Sequence, residues 1–507
     1  MYTYKSMQQS INIKKIRYYL LLSLVFLAPM SLHPSVALPI LNFPSFRIGL
    51  YQLLAVAFVT ACIPLIIDNF LTLMKKRGLV VSISLIAITL VVGLTTSLVP
   101  VRSALYSASL VALLILGLCG YLVRQELSKK NIKSIWSKLL WSGIVFGILA
   151  ILQLIIASFD RMAFGTLCAT CTDVVFGFPR INLFAAEPQF FANSLLPAFF
   201  ASLFFRSSRR LANWTLFFSS LAIGLTFSRG ALVAISLALL TYAAVISYKK
   251  QWPEVIRVIK LAGVYFVFTL VAFGLLIASA SWRYRETPYI AFNTMVSMLD
   301  HLTLGRVHVP QKQLDTPKDP QPSTEQIPSR TIQNDTVFIP EGFVEASSGD
   351  RIDASKLAFD AWNDTPITVV FGVGIGNVGA YINQHIQQVP LTFSVYMFYI
   401  LVLSEMGLIG LMCLLTAITA TLRLGFWSIK TTRGAFIFTL TLAFAVQFAF
   451  LGSYINVIYI YLITGMFLIA TNPNRYHHVI DTASSAQAGK KRLHANKAKK
   501  LTNKALS

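Results

Sequence analysis

The chain has 507 residues, of which 55% are hydrophobic and only 12% charged. A soluble globular domain carries roughly 25% charged residues, so this composition excludes a chain that lives mostly in water. The formal net charge of +23 would suit nucleic acid or basic cytoplasmic loops beside a membrane, and the placement of the charges argues against nucleic acid.

Twelve apolar segments follow one another, at residues 18–38, 48–67, 79–98, 104–123, 139–158, 183–205, 213–228, 231–248, 261–280, 393–421, 435–452 and 454–471. About 20 helical residues cross a bilayer core, and in lipid each backbone amide must find its partner within the segment. The segments therefore predict an all-α, polytopic membrane protein with about 12 spans. The first could pass for a signal peptide, with a basic lead and Ser35-Val36-Ala37 as a cleavage site. Retaining it as a span lets the charge pattern close over the whole chain. With the N-terminus in the cytoplasm, 30 of the 43 Lys and Arg fall in inside segments. Twelve of the 20 Asp and Glu fall in one outside segment, 281–392. This bias predicts both termini in the cytoplasm and one large extracytoplasmic loop. The expected divisions are an N-terminal bundle of about nine spans (1–280), the loop (281–392), C-terminal spans (393–471) and a basic tail (472–507).

Within the loop, residues 306–345 carry Pro310, Pro317, Pro320, Pro322, Pro328 and Pro340 among polar residues and predict an insertion without a core. Ile352, Leu357, Phe359 and Trp362 alternate with charges between Arg351 and Asp364, which predicts a short amphipathic helix on the membrane surface. No long internal repeat is visible, which disfavours repeat-built transporters. Cys62, Cys119 and Cys413 lie in spans as packing residues. Cys168 and Cys171 form an outside C-x-x-C that suits a local disulfide, with no second pair to complete a metal site.

Charged residues in or beside spans are costly and so are functional candidates. Arg180 precedes Glu187-Pro188, with Glu187 expected one to two turns inside the sixth span and Pro188 loosening the helix there. A simple pair tying two helices is the plainer alternative. Arg229 lies in the turn Ser228-Arg229-Gly230-Ala231, where its guanidinium could fork onto phosphate oxygens or merely reach the interface. Arg351 leads to Ala361-Trp362, Pro366 and Gly372-Val-Gly-Ile-Gly376-Asn377. Gly374, Gly376 and Gly379 match G-x-G-x-x-G, but a dinucleotide site needs a preceding strand in a βαβ unit, so these glycines predict a tight turn instead. Tyr396 opens the tenth span, and Glu405-Met-Gly407-Leu-Ile-Gly410 lies within it, where Glu405 is either a site residue or a packing contact. The topology puts all four clusters on one face. Several arginines with one or two carboxylates suit an anionic, phosphorylated substrate, the cations holding phosphate charge and a carboxylate accepting a proton.

These motifs, in this order over roughly residues 175–415, resemble the O-antigen ligase and polymerase family of bacterial envelope enzymes. The resemblance implies a metal-independent glycosyltransferase with a GT-C-like membrane fold and no cofactor, in the bacterial inner membrane. Its donor would be an undecaprenyl-diphosphate-linked oligosaccharide, and its partners membrane lipids, a flippase and a chain-length regulator. It assigns the diphosphate to Arg180, Arg229 and Arg351. Glu187 is the expected base, and Tyr396 and Glu405 the expected substrate contacts. Ligases of the family carry a His nine residues before the Glu of the Glu-x-Gly motif; here that place is Tyr396, and His385 is out of register. This departure favours a polymerase of lipid-linked repeats over a ligase. A flippase or transporter remains the alternative of another class, and would set its charges near the bilayer midplane.

Overall fold

A computed structural model describes residues 2–30, 34–37, 47–75, 77–160, 180–185, 187–205, 208–283, 343–387, 395–453 and 457–468, with Val296 and Val389. The described residues are nearly all helical. The helices are α1 Tyr2–Phe26, α2 Leu50–Met74, α3 Arg77–Thr95, α4 Pro100–Glu126, α5 Lys129–Asp160, α6 Pro188–Phe204, α7 Arg209–Leu225, α8 Arg229–Tyr248 and α9 Trp252–Arg283. They continue as α10 Phe343–Asn363, α11 Pro366–Phe371, α12 Val378–His385, α13 Phe398–Trp427, α14 Thr432–Gln447 and α15 Ile458–Leu468. Six of them, α2, α4, α5, α8, α9 and α13, are long and apolar enough to cross a membrane, so the chain is a multi-pass membrane protein. The pair Cys168 and Cys171, the proline-rich stretch up to Phe343 and the basic tail lie outside the described residues.

Each predicted apolar segment contains a helix, but some bounds differ. The segment 18–38 was expected to be helical throughout, yet α1 ends at Phe26. Pro29 follows three residues later, and a proline cannot continue the ladder and turns its predecessor out of the helical region. Ser35–Ala37 then pairs antiparallel with Arg47–Gly49 as two short strands, β1 and β2, with Val36 opposite Ile48. The sixth segment was expected from 183, but α6 starts at Pro188. Proline suits the first helical position, since its missing N–H would have no partner there, and it drives Glu187 into an extended conformation.

α6 is the hub of the bundle. Every residue from Phe190 to Phe204 is buried, and α5, α7, α8 and α14 pack around it. A helix apolar on all sides belongs in an interior. α9 is peripheral by contrast, with 22% of its apolar window buried against 56% for α5. Small residues set one close crossing: Gly120 of α4 lies against the Leu462 carbonyl of α15, and Gly465 of α15 abuts Gly117 of α4.

The second organising feature is a break in α13. Gly407 has φ 65° and ψ −165°, which interrupts the helix in its second turn beyond Leu401. The carbonyls freed there are taken up by the loop between α11 and α12: Val373 N–H donates to Ser404 O at 2.8 Å and Gly374 N–H to Glu405 O at 3.1 Å. Gly372, with φ 76°, touches the backbone at Glu405 and Met406, and Gly407 touches the Val370 carbonyl. A Cβ at either position would collide with that backbone, and positive φ excludes most side chains as well. The glycine loop thus serves as the expected tight turn. A six-residue helix precedes it, α11, and not the strand that a dinucleotide fingerprint requires.

Gly407→Ala should lower stability by at least about 2 kcal/mol, through backbone collision and strain. Gly263→Ala in α9, where nothing stands within 4 Å of an added Cβ, should be neutral or slightly stabilising. Thermal unfolding of both variants in detergent checks the contrast, and equal melting temperatures would refute it.

Candidate functional site

The sequence singles out Arg180, Glu187, Arg229, Arg351, Tyr396 and Glu405, and the fold brings five of these together. Arg229 is the first residue of α8. The turn before it is tight: Thr226 ends α7, Phe227 adopts φ 51°, and Ser228 caps α8 by accepting from Ala231 N–H at 3.4 Å. Positive φ costs a bulky residue on the order of 1 kcal/mol or more. Phe227 is held there because its ring is buried and packs on Phe273 at 5.2 Å. Thr226 Oγ1 donates to Ile223 O at 2.6 Å and accepts from Ser228 N–H at 3.2 Å, closing the turn.

Arg180 docks on that same turn. Its Nε donates to Thr226 O at 3.3 Å, and Ile181 N–H donates to Leu225 O at 3.4 Å. The residues after it coil tightly, with Leu183 at φ 45°. Two amides of the coil, Asn182 and Leu183, converge on Oε1 of the buried Gln153 of α5, at 3.2 and 2.9 Å. Asn182 Nδ2 donates to Ala185 O at 3.2 Å. Gln153 is a scaffold residue that a search for charges overlooks. Its signal is an amide in an otherwise apolar span.

Glu187 departs from its expected setting. It was placed within the span as an enclosed carboxylate, but it caps α6 from outside the helix and is exposed. Gln189 Nε2 donates to its Oε2 at 2.6 Å. Pro188 causes the shift by starting the helix where it was expected to loosen one.

Arg351 comes from α10. Ala354, Ala358 and Ala361, three, seven and ten residues on, lie on its side of the helix and are buried. Small residues let α10 lie close on α13, so the Arg351 side faces the bundle. Its guanidinium sits over the Tyr396 ring, 5.2 Å from the centroid. Leu357 and Trp362 are partly buried, whereas Ile352 and Phe359 are 50% and 44% exposed. So the alanine stripe, not the large apolar residues, makes the principal contact. Trp362 and Pro366 orient the helices: the indole N–H donates to Val369 O at 2.9 Å, and Pro366 starts α11 behind a Thr365–Thr368 capping box.

Electrostatics links the cluster. Burial lowers the pKa of Arg180 to about 10, Glu187 favours the cation, and Arg351 and Arg229 oppose it. The guanidinium stays charged at neutral pH. Glu187 from the same coil, Arg229 from α8 and Arg351 from α10 therefore all act on Arg180, and Arg351 acts on Arg229 as well. Glu405 is set apart. It is buried in α13, nine residues beyond Tyr396, and its backbone carbonyl anchors Gly374. His385 is exposed and lies against Tyr381, ring centroids 4.4 Å apart, while Tyr381 Oη donates to Asp364 Oδ2 at 2.5 Å. Among the described residues, no group of three or more His, Cys, Asp or Glu side chains could hold a metal ion.

Gln153→Leu should free Arg180 from its docking by leaving two buried amides without an acceptor, at a cost of about 1–3 kcal/mol each. A lowered melting temperature and faster proteolysis near residue 180 are expected; unchanged values for both would refute the role.

Residues 214–415 match a family model described as O-antigen ligase. No curated protein matches the chain. The matched stretch holds Arg229, Arg351, the glycine loop, Tyr396 and the break in α13, while Arg180 and Glu187 precede it. The likeness read from the motifs is borne out over residues 214–415, the stretch of this multi-pass membrane protein that is similar to the O-antigen ligase family.

Proposed function

We propose that this chain is a glycosyltransferase that polymerises lipid-linked oligosaccharide repeats in surface polysaccharide assembly. The observation that carries the reading is the gathering of Arg180, Arg229 and Arg351 with Glu187. A net positive cluster of this size suits a diphosphate better than a neutral sugar, and guanidinium groups fork onto phosphate oxygens. In the reaction, an acceptor hydroxyl attacks the anomeric carbon of the donor sugar. The bond from that carbon to the diphosphate oxygen breaks, and its electron pair leaves on the lipid diphosphate. The arginines hold the charge that develops there. Glu187, open to solvent, takes the proton of the attacking hydroxyl. Arg351 is steadied by Tyr396, and Glu405 supports the loop beneath the substrate.

The same reading sets the chain in a bacterial inner membrane with twelve spans, both termini cytoplasmic and residues 281–392 outside. The distribution of basic residues supports that orientation. A ligase that moves finished glycan onto an acceptor is the second reading, favoured by the description of the matched family. Tyr396 in the place of the ligase histidine favours the polymerase.

Deletion of the gene followed by glycan electrophoresis separates the two. A polymerase leaves single repeats attached to the acceptor, and a ligase leaves long chains unattached. Arg229→Ala and Arg180→Ala should each reduce chain extension by about 10²–10³-fold at normal expression. Glu187→Gln should do so as well, and normal chain lengths in all three would refute the site.

A further inference from the structure

Gln447, the last residue of α14, is fully buried, and neither its Nε2 nor its Oε1 has a hydrogen-bond partner among the described residues. Leaving both ends of a primary amide unmet inside a membrane protein is costly, and a leucine or methionine would fill the space at no such cost. The amide lies beside the arginine turn. A Cβ added to Gly230 would stand 3.0 Å from Gln447 Oε1, and Gly230 follows Arg229 in the chain. Arg229 and Gly230 are first-turn residues of α8, whose N–H groups have no acceptor within the helix and favour an anion. Phe450, one turn beyond Gln447, would likewise stand 3.0 Å from that added Cβ. The absence of a side chain at Gly230 is what lets Gln447 and Phe450 come this close.

We infer that Gln447 is a specificity-determining residue for the donor, reading the sugar next to the diphosphate. This rests on the function proposed above. A primary amide has two donor hydrogens and one acceptor oxygen. A phosphate oxygen can meet only the donors. A ligand that meets both ends offers an acceptor oxygen and a hydroxyl side by side, as a glycosyl phosphate does. With the phosphate charge on Arg229, Nε2 donates to a phosphate ester oxygen and Oε1 accepts from a hydroxyl of the first sugar. Movement of the Phe450 ring admits that sugar to the amide.

The test uses full-length protein in lipid nanodiscs and two probes. One is the lipid-linked repeats extracted from cells that lack this chain, and the other is undecaprenyl diphosphate without sugar. Wild type should bind the glycosylated lipid about tenfold tighter, the worth of one or two neutral hydrogen bonds. Gln447→Leu should bind both lipids alike, with affinity for the bare lipid within about twofold of wild type. Gln447→Met, equal in length and without the amide, should behave the same and serves if the leucine variant does not fold. A preference that survives in either folded variant overturns the inference. Equal binding of the two lipids by wild type overturns it too and leaves the proposed function standing. Wild type that binds neither lipid overturns both.

Discussion

The broken turn at Gly407 and the glycine loop seated in it hold the rest of the site in place. A helix within a bilayer has no water to satisfy a freed carbonyl, so a break survives only where protein supplies the donors. Here Val373 and Gly374 supply them. The contact is backbone on backbone, which neither glycine could make with a side chain. It fixes α11 on α13, and Gly374 also reaches Gly93 of α3. Asn377 continues the seam, its Oδ1 accepting from Val99 N–H at 3.2 Å before α4. With α10–α12 anchored in this way, the alanine stripe of α10 can deliver Arg351 to Tyr396. Tyr396 is in turn placed by α14, through Phe398 N–H on Phe448 O at 2.8 Å and Tyr399 Oη on Ala445 O at 2.6 Å.

The arginines raise the opposite problem, because like charges drawn together repel, and more so away from water. Arg180 shows the strain in its lowered proton affinity, caused by burial and by its two neighbours. Rigid backbone offsets the repulsion. Phe227 and Leu183 hold positive φ, and Gln153 gathers the amides of the coil that carries Arg180. None of these devices requires a ligand. The positive field is therefore built into the described fold, and preorganised charge of this kind needs little rearrangement to act.

Much of this is legible in the sequence, for definite reasons. Apolar runs of bilayer length must be helices, and the twelve segments each contain one. The three arginines are legible because charge beside a span is expensive, and Tyr396 because it stands nine residues before the Glu of the Glu-x-Gly motif. The position of Glu187 is not, because Pro188 reads equally as a disruption inside a helix or as the start of one, and only the coil before it decides. The contact face of α10 is misread for a related reason. Periodicity favours large apolar residues, whereas a close helix approach selects the alanines between them.

Neutral amides escape a reading guided by charge, yet two of them divide the labour beneath the arginines. Gln153 and Gln447 are both fully buried in apolar helices. Gln153 gives its oxygen to two backbone amides and so holds the coil. Gln447 spends nothing within the described fold while it stands against the glycine that follows Arg229. Equal chemistry under equal burial thus leads to different conclusions once the hydrogen bonds are counted. A satisfied amide explains the fold around it, whereas one left unsatisfied among the described residues, beside a cationic turn, is what sets Gln447 apart.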